Sequence, residues 1–517
     1  MNSFWTKLTQ NPIIFSNTFT TLFFLIGLPA ILNHAMWRDE LNVWLIVRDS
    51  QSLSELFHNI HYEGHPFVWY ICLALLKQIT SNPVIMQIFH LCLATSSVYL
   101  VTRYSPFNYL QKILYCLGYI PFYEYLLISR NYAIGLLLCF LFCTIYPSRK
   151  QSYFKLAIVL FFLSNSNAYC LLLAIAFSMT LACEYIFQKP LNQTIVAKKA
   201  DIISSSLIAL GGIILSLIQL IPPQDSKLAG GLTGFVLNFD FNHLVKTLIR
   251  VWNSYIIILV PGESQQLSLI IFSIISLAFI AFFAILFIRK PIILFLYIFG
   301  NIAIIAFTYV KFLGAPRHYG HLYTLLIVCL WLASYYPKSS LLLKIVPQSF
   351  ANYIVWAIKR TKPYHPPIIM LILYAQMIGG LFTFSRDMIV PFSASRETAS
   401  YLKTQYKDKL NDLFIIGSPD YTMSPISGYI NRKIYYPEIQ KLGSFVLFTT
   451  QRKELVHLEI LNQISQLVKT NPKPIILILN KQLEANHPEL KIVPVKQFRK
   501  AFNSDERYHL YTVSQQS

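Results

Sequence analysis

The chain has 517 residues, 55% hydrophobic and 15% aromatic with 13% charged, and a mean hydropathy of +0.49. Those values exclude an ordinary soluble protein and, with apolar runs of membrane-spanning length over the first three quarters of the chain, predict a multi-pass membrane protein. The net charge of +20 is topological rather than a sign of nucleic acid, because Lys and Arg are retained on cytoplasmic loops.

The first apolar run, Ile13 to Leu32, exceeds a signal-peptide core and lacks a small-x-small cleavage site, so it is expected to remain as the first span. With Lys7 inside, that span exits into the polar stretch Trp37–Pro66, which holds Asp39, Glu40, Asp49, Glu55 and Glu63. The segment His65–Thr80, opened by Pro66, makes only about four turns and reads as a helix along the outer interface. Further spans are expected at about 84–102, 112–128 and 131–147, two between 155 and 187, then about 202–221, 267–288, 291–310, 321–336 and 367–384, about 11 in all. Leu244–Val260 contains Lys246, Arg250 and Trp252 and reads as interfacial or re-entrant.

With the N-terminus inside, the inner loops collect Lys and Arg against one acid, Asp201. Treating His65–Thr80 as a span would turn those basic clusters outward, against the positive-inside rule. The sequon at Asn192 then lies inside and is expected to stay unmodified. All eight cysteines sit in apolar segments, with no disulfide framework in the C-terminal region and no metal-ligand spacing.

The pattern becomes soluble after about Arg386. Ser395–Tyr406 looks helical, Asp412–Asp420 reads as a buried strand entering a loop, and Ser444–Thr450, Gln451–Lys469 and Pro474–Asn480 read as strand, amphipathic helix and strand. This alternation predicts a small α/β domain with a mainly parallel sheet. The domains expected are thus a transmembrane module, 1–385, with an outer loop at 34–83, and an extracytoplasmic α/β domain, 386–517.

Asp39 and Glu40 stand at the outer end of the first span, where a carboxylate meets substrate and is desolvated enough for a raised pKa, as a general base requires. The alternative is a solvated loop charge beside Arg38. Glu63-Gly-His65-Pro66 precedes a helix start, a place for a phosphate or simply a helix opening. Glu124 and Arg130 form a salt bridge or a functional pair. Lys311, Arg317 and His318 put cations in an outer loop, where they serve a phosphate leaving group or lipid headgroups. Gly417–Pro425 follows a strand and is either a ligand loop or a structural turn.

An acidic pair after the first span, followed by a His-Pro-aromatic interfacial helix, resembles the lipid-linked-sugar glycosyltransferases of GT-C architecture, including protein O-mannosyltransferases and aminoarabinose transferases. The resemblance is strongest over about 35–145. It implies a GT-C-like membrane module; the charge asymmetry makes it N-in and C-out, the C-terminal soluble α/β domain follows it, and the expected location is the plasma (inner) membrane. It implies Asp39 as base with Glu40 beside it, and Arg317, His318 and Arg130 on the donor phosphate, where Lys311 of the cationic loop joins them. Glu63, His65, Glu124 and Tyr132 would orient substrates. The chain departs from the pattern in its single Pro after His65 and in Arg-His-Tyr at 317–319.

The expected function is inverting transfer of one sugar from a polyprenyl-phosphate carrier to a glycan, lipid or protein acceptor. The alternative is a transporter or flippase of lipid-linked saccharides, with the same charges lining a pathway. No cofactor is expected, and two acids near a phosphate leave a divalent metal open.

Overall fold

A computed structural model describes residues 11–191, 195–228, 234–262 and 265–516. The sequon at Asn192 and Lys7 lie outside the described residues. Helix α1, Pro12–Asn33, opens with Pro at its first turn and an Asn11 side chain that accepts from the Ile13 and Ile14 amides, filling donors that a helix start leaves free. Three short helices follow, α2 Arg38–Asp49, α3 Leu53–Ile60 and α4 Val68–Lys77. The bundle continues through α5 Val84–Tyr104, α6 Tyr109–Cys116, a π-helical turn at Tyr119–Glu124, and α7 Tyr132–Ile145, which runs on as a 3-10 turn to Lys150. Then come α8 Phe154–Ser164, α9 Ala168–Ile186, α10 Lys199–Leu220, α11 Phe241–Tyr255, α12 Gln266–Phe287, α13 Pro291–Val310, α14 Pro316–Leu332, α15 Leu341–Ile345, α16 Gln348–Thr361 and α17 His365–Ile389.

Eight of these runs are long and apolar enough to cross a membrane: α1, α5, α7 with its extension, α9, α10, α12, α13 and the joined α16–α17. Three of the expected spans are something else. The 155–164 segment is the 11-residue α8, about 16 Å long and short of a bilayer. The 321–336 segment belongs to α14, 17 residues whose side chains from Tyr319 to Cys329 are buried. The 112–128 segment is a broken path, α6 and then the π turn, interrupted at Gly118 and Pro121. Irregular backbone persists at such depth only when protein surrounds it, and residues 119–136 are buried without a break. Gly380 of α17 makes that cover close, since a Cβ there would sit 2.4 Å from the Leu117 carbonyl oxygen. The 65–80 and 244–260 segments form the short α4 and the 15-residue α11, neither of spanning length.

Loops sort to the two ends of the bundle. At one end Val196 N donates to Lys150 O, Ser339 N to Arg289 O and Lys290 Nζ to Ala333 O, gathering the basic loops near 150, 190, 289 and 338. The other end carries α2–α4, the turn before α7 and the C-terminal domain.

That domain holds α18 Ser395–Tyr406, α19 Ser424–Ile430, α20 His457–Thr470 and six strands: β1 Phe414–Ser418, β2 Ile434–Tyr436, β3 Lys441–Gly443, β4 Ile475–Leu479, β5 Leu490–Phe498 and β6 Tyr508–Gln515. The sheet order is β3-β2-β1-β4-β6-β5. Only β1–β2 and β1–β4 are parallel, and the other three pairs are antiparallel, so the sheet is mixed rather than mainly parallel. The expected strand at 444–450 is an extended segment outside the sheet. Its backbone groups find partners elsewhere: Phe448 O accepts from Lys227 N at 2.7 Å and Thr450 N donates to Asp225 O at 2.8 Å. Helix α2 is wedged between the bundle and this domain, with Leu41 against Gly428 and Trp44 fully buried.

Candidate functional site

A cavity of about 290 Å³ opens where α2, the loop before α4, the starts of α7, α9 and α14, the end of α13 and the C-terminal domain meet. Helix α2 places Asp39 and Asn42 three residues apart, hence on one face, and both line the cavity. Asp39 Oδ2 accepts from Arg130 at 2.8 Å and from Arg317 at 3.0 Å, while Arg38 stands at 4.0 Å from Oδ1. A quarter of the Asp39 side chain (24%) remains accessible. Arg130 also donates to the Asp39 carbonyl at 3.0 Å and to His65 Nε2 at 3.0 Å. An arginine can only donate, so His65 is neutral with its proton on Nδ1, which is buried without a partner.

Burial alone would lift the Asp39 carboxyl, but Arg130, Arg317 and Arg38 outweigh it and hold the group below the usual range. The raised value expected for a base in this position is therefore not found for Asp39. It is found for Glu63, which burial pushes up to about 7 against the opposing pull of Arg130. Glu63 Oε1 accepts from Asn42 Nδ2 at 3.0 Å. Burial, with help from Arg130, drives His65 down to about 3, in keeping with its neutral ring.

The structure brings together Asp39, Glu63, His65, Arg130, Tyr132, Lys311, Arg317 and His318 around this cavity. Arg317 sits in the first turn of α14, its carbonyl fixed by Tyr125 OH at 2.8 Å, its guanidinium 5.4 Å from the Trp37 ring, and its Nε buried without a partner. Lys311 lies over Phe235 at 3.0 Å. His318 Nδ1 accepts from Ala315 N at 2.9 Å.

Two expected residues are not among the lining. Glu124 is buried and accepts from Tyr119 OH at 2.8 Å, and no ion pair joins it to Arg130, whose carboxylate partner is Asp39. Glu40 is fully buried on the other side of α2. It accepts from Ser129 N at 2.6 Å, Trp37 N at 3.2 Å and His34 Nε2 at 3.0 Å. The other ring nitrogen of His34 meets Asp387 at 3.0 Å. Burial opposes a charge on His34, yet Asp387 and Glu40 raise it to about 10, so an imidazolium bridges two carboxylates. Through Ser129 and its own neighbour Asp39, Glu40 registers Arg130 against Asp39.

Sequence reasoning missed Asn42, Val446 and Phe448, which line the cavity together with Tyr421 of the 417–425 stretch, the candidate ligand loop. Asn42 was within reach through its three-residue spacing from Asp39. Val446 and Phe448 come from the far end of the chain and carry no local signal. Among the described residues no group of three or more His, Cys, Asp or Glu could hold a metal.

No family model matches the chain, and no curated protein or solved structure is significantly similar to it. The reading of the site therefore rests on its geometry and on general chemistry.

Proposed function

We propose that the protein is a membrane glycosyltransferase that moves one sugar from a polyprenyl-phosphate donor to an acceptor on the extracytoplasmic side, inverting the anomeric carbon. What carries this reading is the convergence of Asp39, Arg130 and Arg317 in one cavity, at the end of the bundle away from the lysine-rich loops. The positive-inside rule supports reading the basic end as cytoplasmic, hence the cavity and the C-terminal domain as extracytoplasmic, and the plasma (inner) membrane is the location this reading proposes.

Arg forks bind phosphate oxygens with two parallel hydrogen bonds. A lipid phosphate competes with Asp39 for Arg130 and Arg317. Leu220, Leu228, Phe307 and Phe312 on the cavity wall suit the first isoprenoid carbons. Once the guanidiniums turn to the phosphate, the force holding the Asp39 carboxyl down is neutralised, and it becomes a better base. The acceptor oxygen then forms its bond to the anomeric carbon from the face opposite the phosphate. The bond from that carbon to the phosphate oxygen breaks, its electron pair leaves with the polyprenyl phosphate, and the acceptor proton passes to Asp39. The arginines stabilise the departing charge.

The test is donor turnover by purified protein in detergent, using polyprenyl-phosphate sugars extracted from membranes of cells that express it. Release of polyprenyl phosphate that Asp39→Asn abolishes supports the enzyme. Movement of the sugar lipid across vesicles with no bond cleaved makes the protein a transporter.

A further inference from the structure

The C-terminal domain contributes directly to the cavity. In the order β3-β2-β1-β4-β6-β5, the chain leaves β1 for β2 on one side and later enters β4 on the other, both parallel to β1. The crevice at the carboxyl end of such a strand is where open α/β sheets hold ligands. Here that end is Pro419-Asp420-Tyr421. Asp420 is buried, and both of its oxygens accept from Arg452 Nε at 2.9 and 3.0 Å. This anchor leaves Tyr421 to line the cavity, with its ring 5.0 Å from the Arg38 guanidinium.

The second part of the wall is the segment around Phe448. The Asn42 amide exchanges two hydrogen bonds with Val446, accepting from its N at 2.8 Å and donating to its O at 3.1 Å. Asn42 thus acts as a one-residue strand partner while its Nδ2 also reaches Glu63. The far side of the segment is stitched to 225–227, and Tyr62 OH ties Asp225 at 2.9 Å. Two elements of the bundle end therefore fix a wall, made by the other domain, of the cavity that Asp39 also lines.

We infer that the acceptor is a saccharide-bearing molecule seated on Tyr421 and Phe448 at the carboxyl end of β1, with Asn42 as the residue that holds this wall in position. The inference rests on the glycosyl-transfer reading above. Half-buried aromatic rings meet the C–H face of a sugar ring, while the polar groups of Arg38 and Glu63 take its hydroxyls, which both donate and accept. Glu63, poised near neutrality, supplies either role. The small cavity admits a terminal sugar unit rather than a folded polypeptide.

The experiment uses the full-length protein in detergent, the membrane-extracted polyprenyl-phosphate sugars as donor, and fluorophore-tagged oligosaccharides as acceptor probe. In the Tyr421→Ala/Phe448→Ala double variant, KM for the tagged acceptor is expected to rise roughly tenfold or more, as loss of an aromatic anchor implies, while release of polyprenyl phosphate to water falls by a much smaller factor. Tyr421→Trp is expected to keep the wild-type KM, which separates a lost contact from a damaged fold. An unchanged acceptor KM in the double variant, or an equal loss of both activities there and in Tyr421→Trp, overturns the inference and leaves the donor chemistry standing. If wild-type protein releases no polyprenyl phosphate at all, the transferase reading falls and this inference falls with it.

Discussion

Two arginine–carboxylate sites stand at opposite ends of α7 and its 3-10 extension, about 28 Å apart by helix rise, and they are built differently. At the basic end Arg149 meets Glu184 through two bonds, Nε to Oε2 at 2.7 Å and an amino nitrogen to Oε1 at 2.9 Å, with both side chains 1% accessible. Tyr146 lies 4.0 Å and Tyr336 5.1 Å from that guanidinium. The pair is one to one, closed and satisfied. At the cavity end one carboxylate, Asp39, faces three guanidiniums, of which Arg38 also meets Asp505 at 3.4 Å; a quarter of Asp39 is open, and Arg317 Nε has no partner. A closed pair holds helices together. A cluster with surplus cations and an open side has room for an anion from outside.

The comparison can be broken in order of expected size. Asp39→Asn should lower donor turnover by about a hundredfold to ten-thousandfold, the range for removing a general base, and should also lower thermal stability, since buried Arg130 loses its counter-charge. Arg317→Ala should cost roughly a hundredfold in turnover, as losing one charge-stabilising donor does, and Arg317→Lys should recover only part of it because the fork is lost. Arg149→Ala should instead destabilise the fold by about 3–5 kcal/mol, the cost of stranding a buried carboxylate, measured by thermal unfolding in detergent. Turnover per folded molecule should be retained. Similar behaviour of Arg149→Ala and Arg317→Ala in both assays would erase the distinction.

A smaller effect sharpens it. Glu63 has a folded value near 7, above its ordinary 4.5, so its protonated form favours the folded state. That contribution is fully present below about pH 4.5 and is lost as pH rises through about 7. Glu63→Gln should flatten this part of the stability profile, with Tm higher than wild type by about 1–2 °C at pH 8. An unchanged Tm–pH slope would mean that Glu63 is ionised throughout.

How much of this was legible beforehand depended on the range of the cause. Hydropathy runs located α1, α5, α9, α10, α12, α13 and α17 within a few residues, because a span must satisfy its own backbone in an apolar medium. The path from α6 to Tyr132 was not legible. Its Gly118 and Pro121 are tolerated only because α17 and α14 cover them, a tertiary fact. Asp39, Arg130 and Arg317 could be singled out as charges in the wrong place for a membrane protein. The partner of Glu40, however, is His34, with Asp387 from the last span behind it, and no local pattern announces that bridge. The 444–450 segment has the composition of a strand and the hydrogen bonds of a clasp, since its partners are Asn42 and residues 225–227 rather than the sheet.

The central claim is that Asp39 and a lipid phosphate compete for the same two arginines. Equilibrium binding of polyprenyl phosphate to purified protein tests it most directly, comparing wild type with Asp39→Asn. The account predicts that the variant binds polyprenyl phosphate more tightly, because the competing carboxylate charge is gone, although it no longer turns donor over. Weaker binding by Asp39→Asn, or equal binding by wild type and an Arg130→Ala/Arg317→Ala variant, would contradict it.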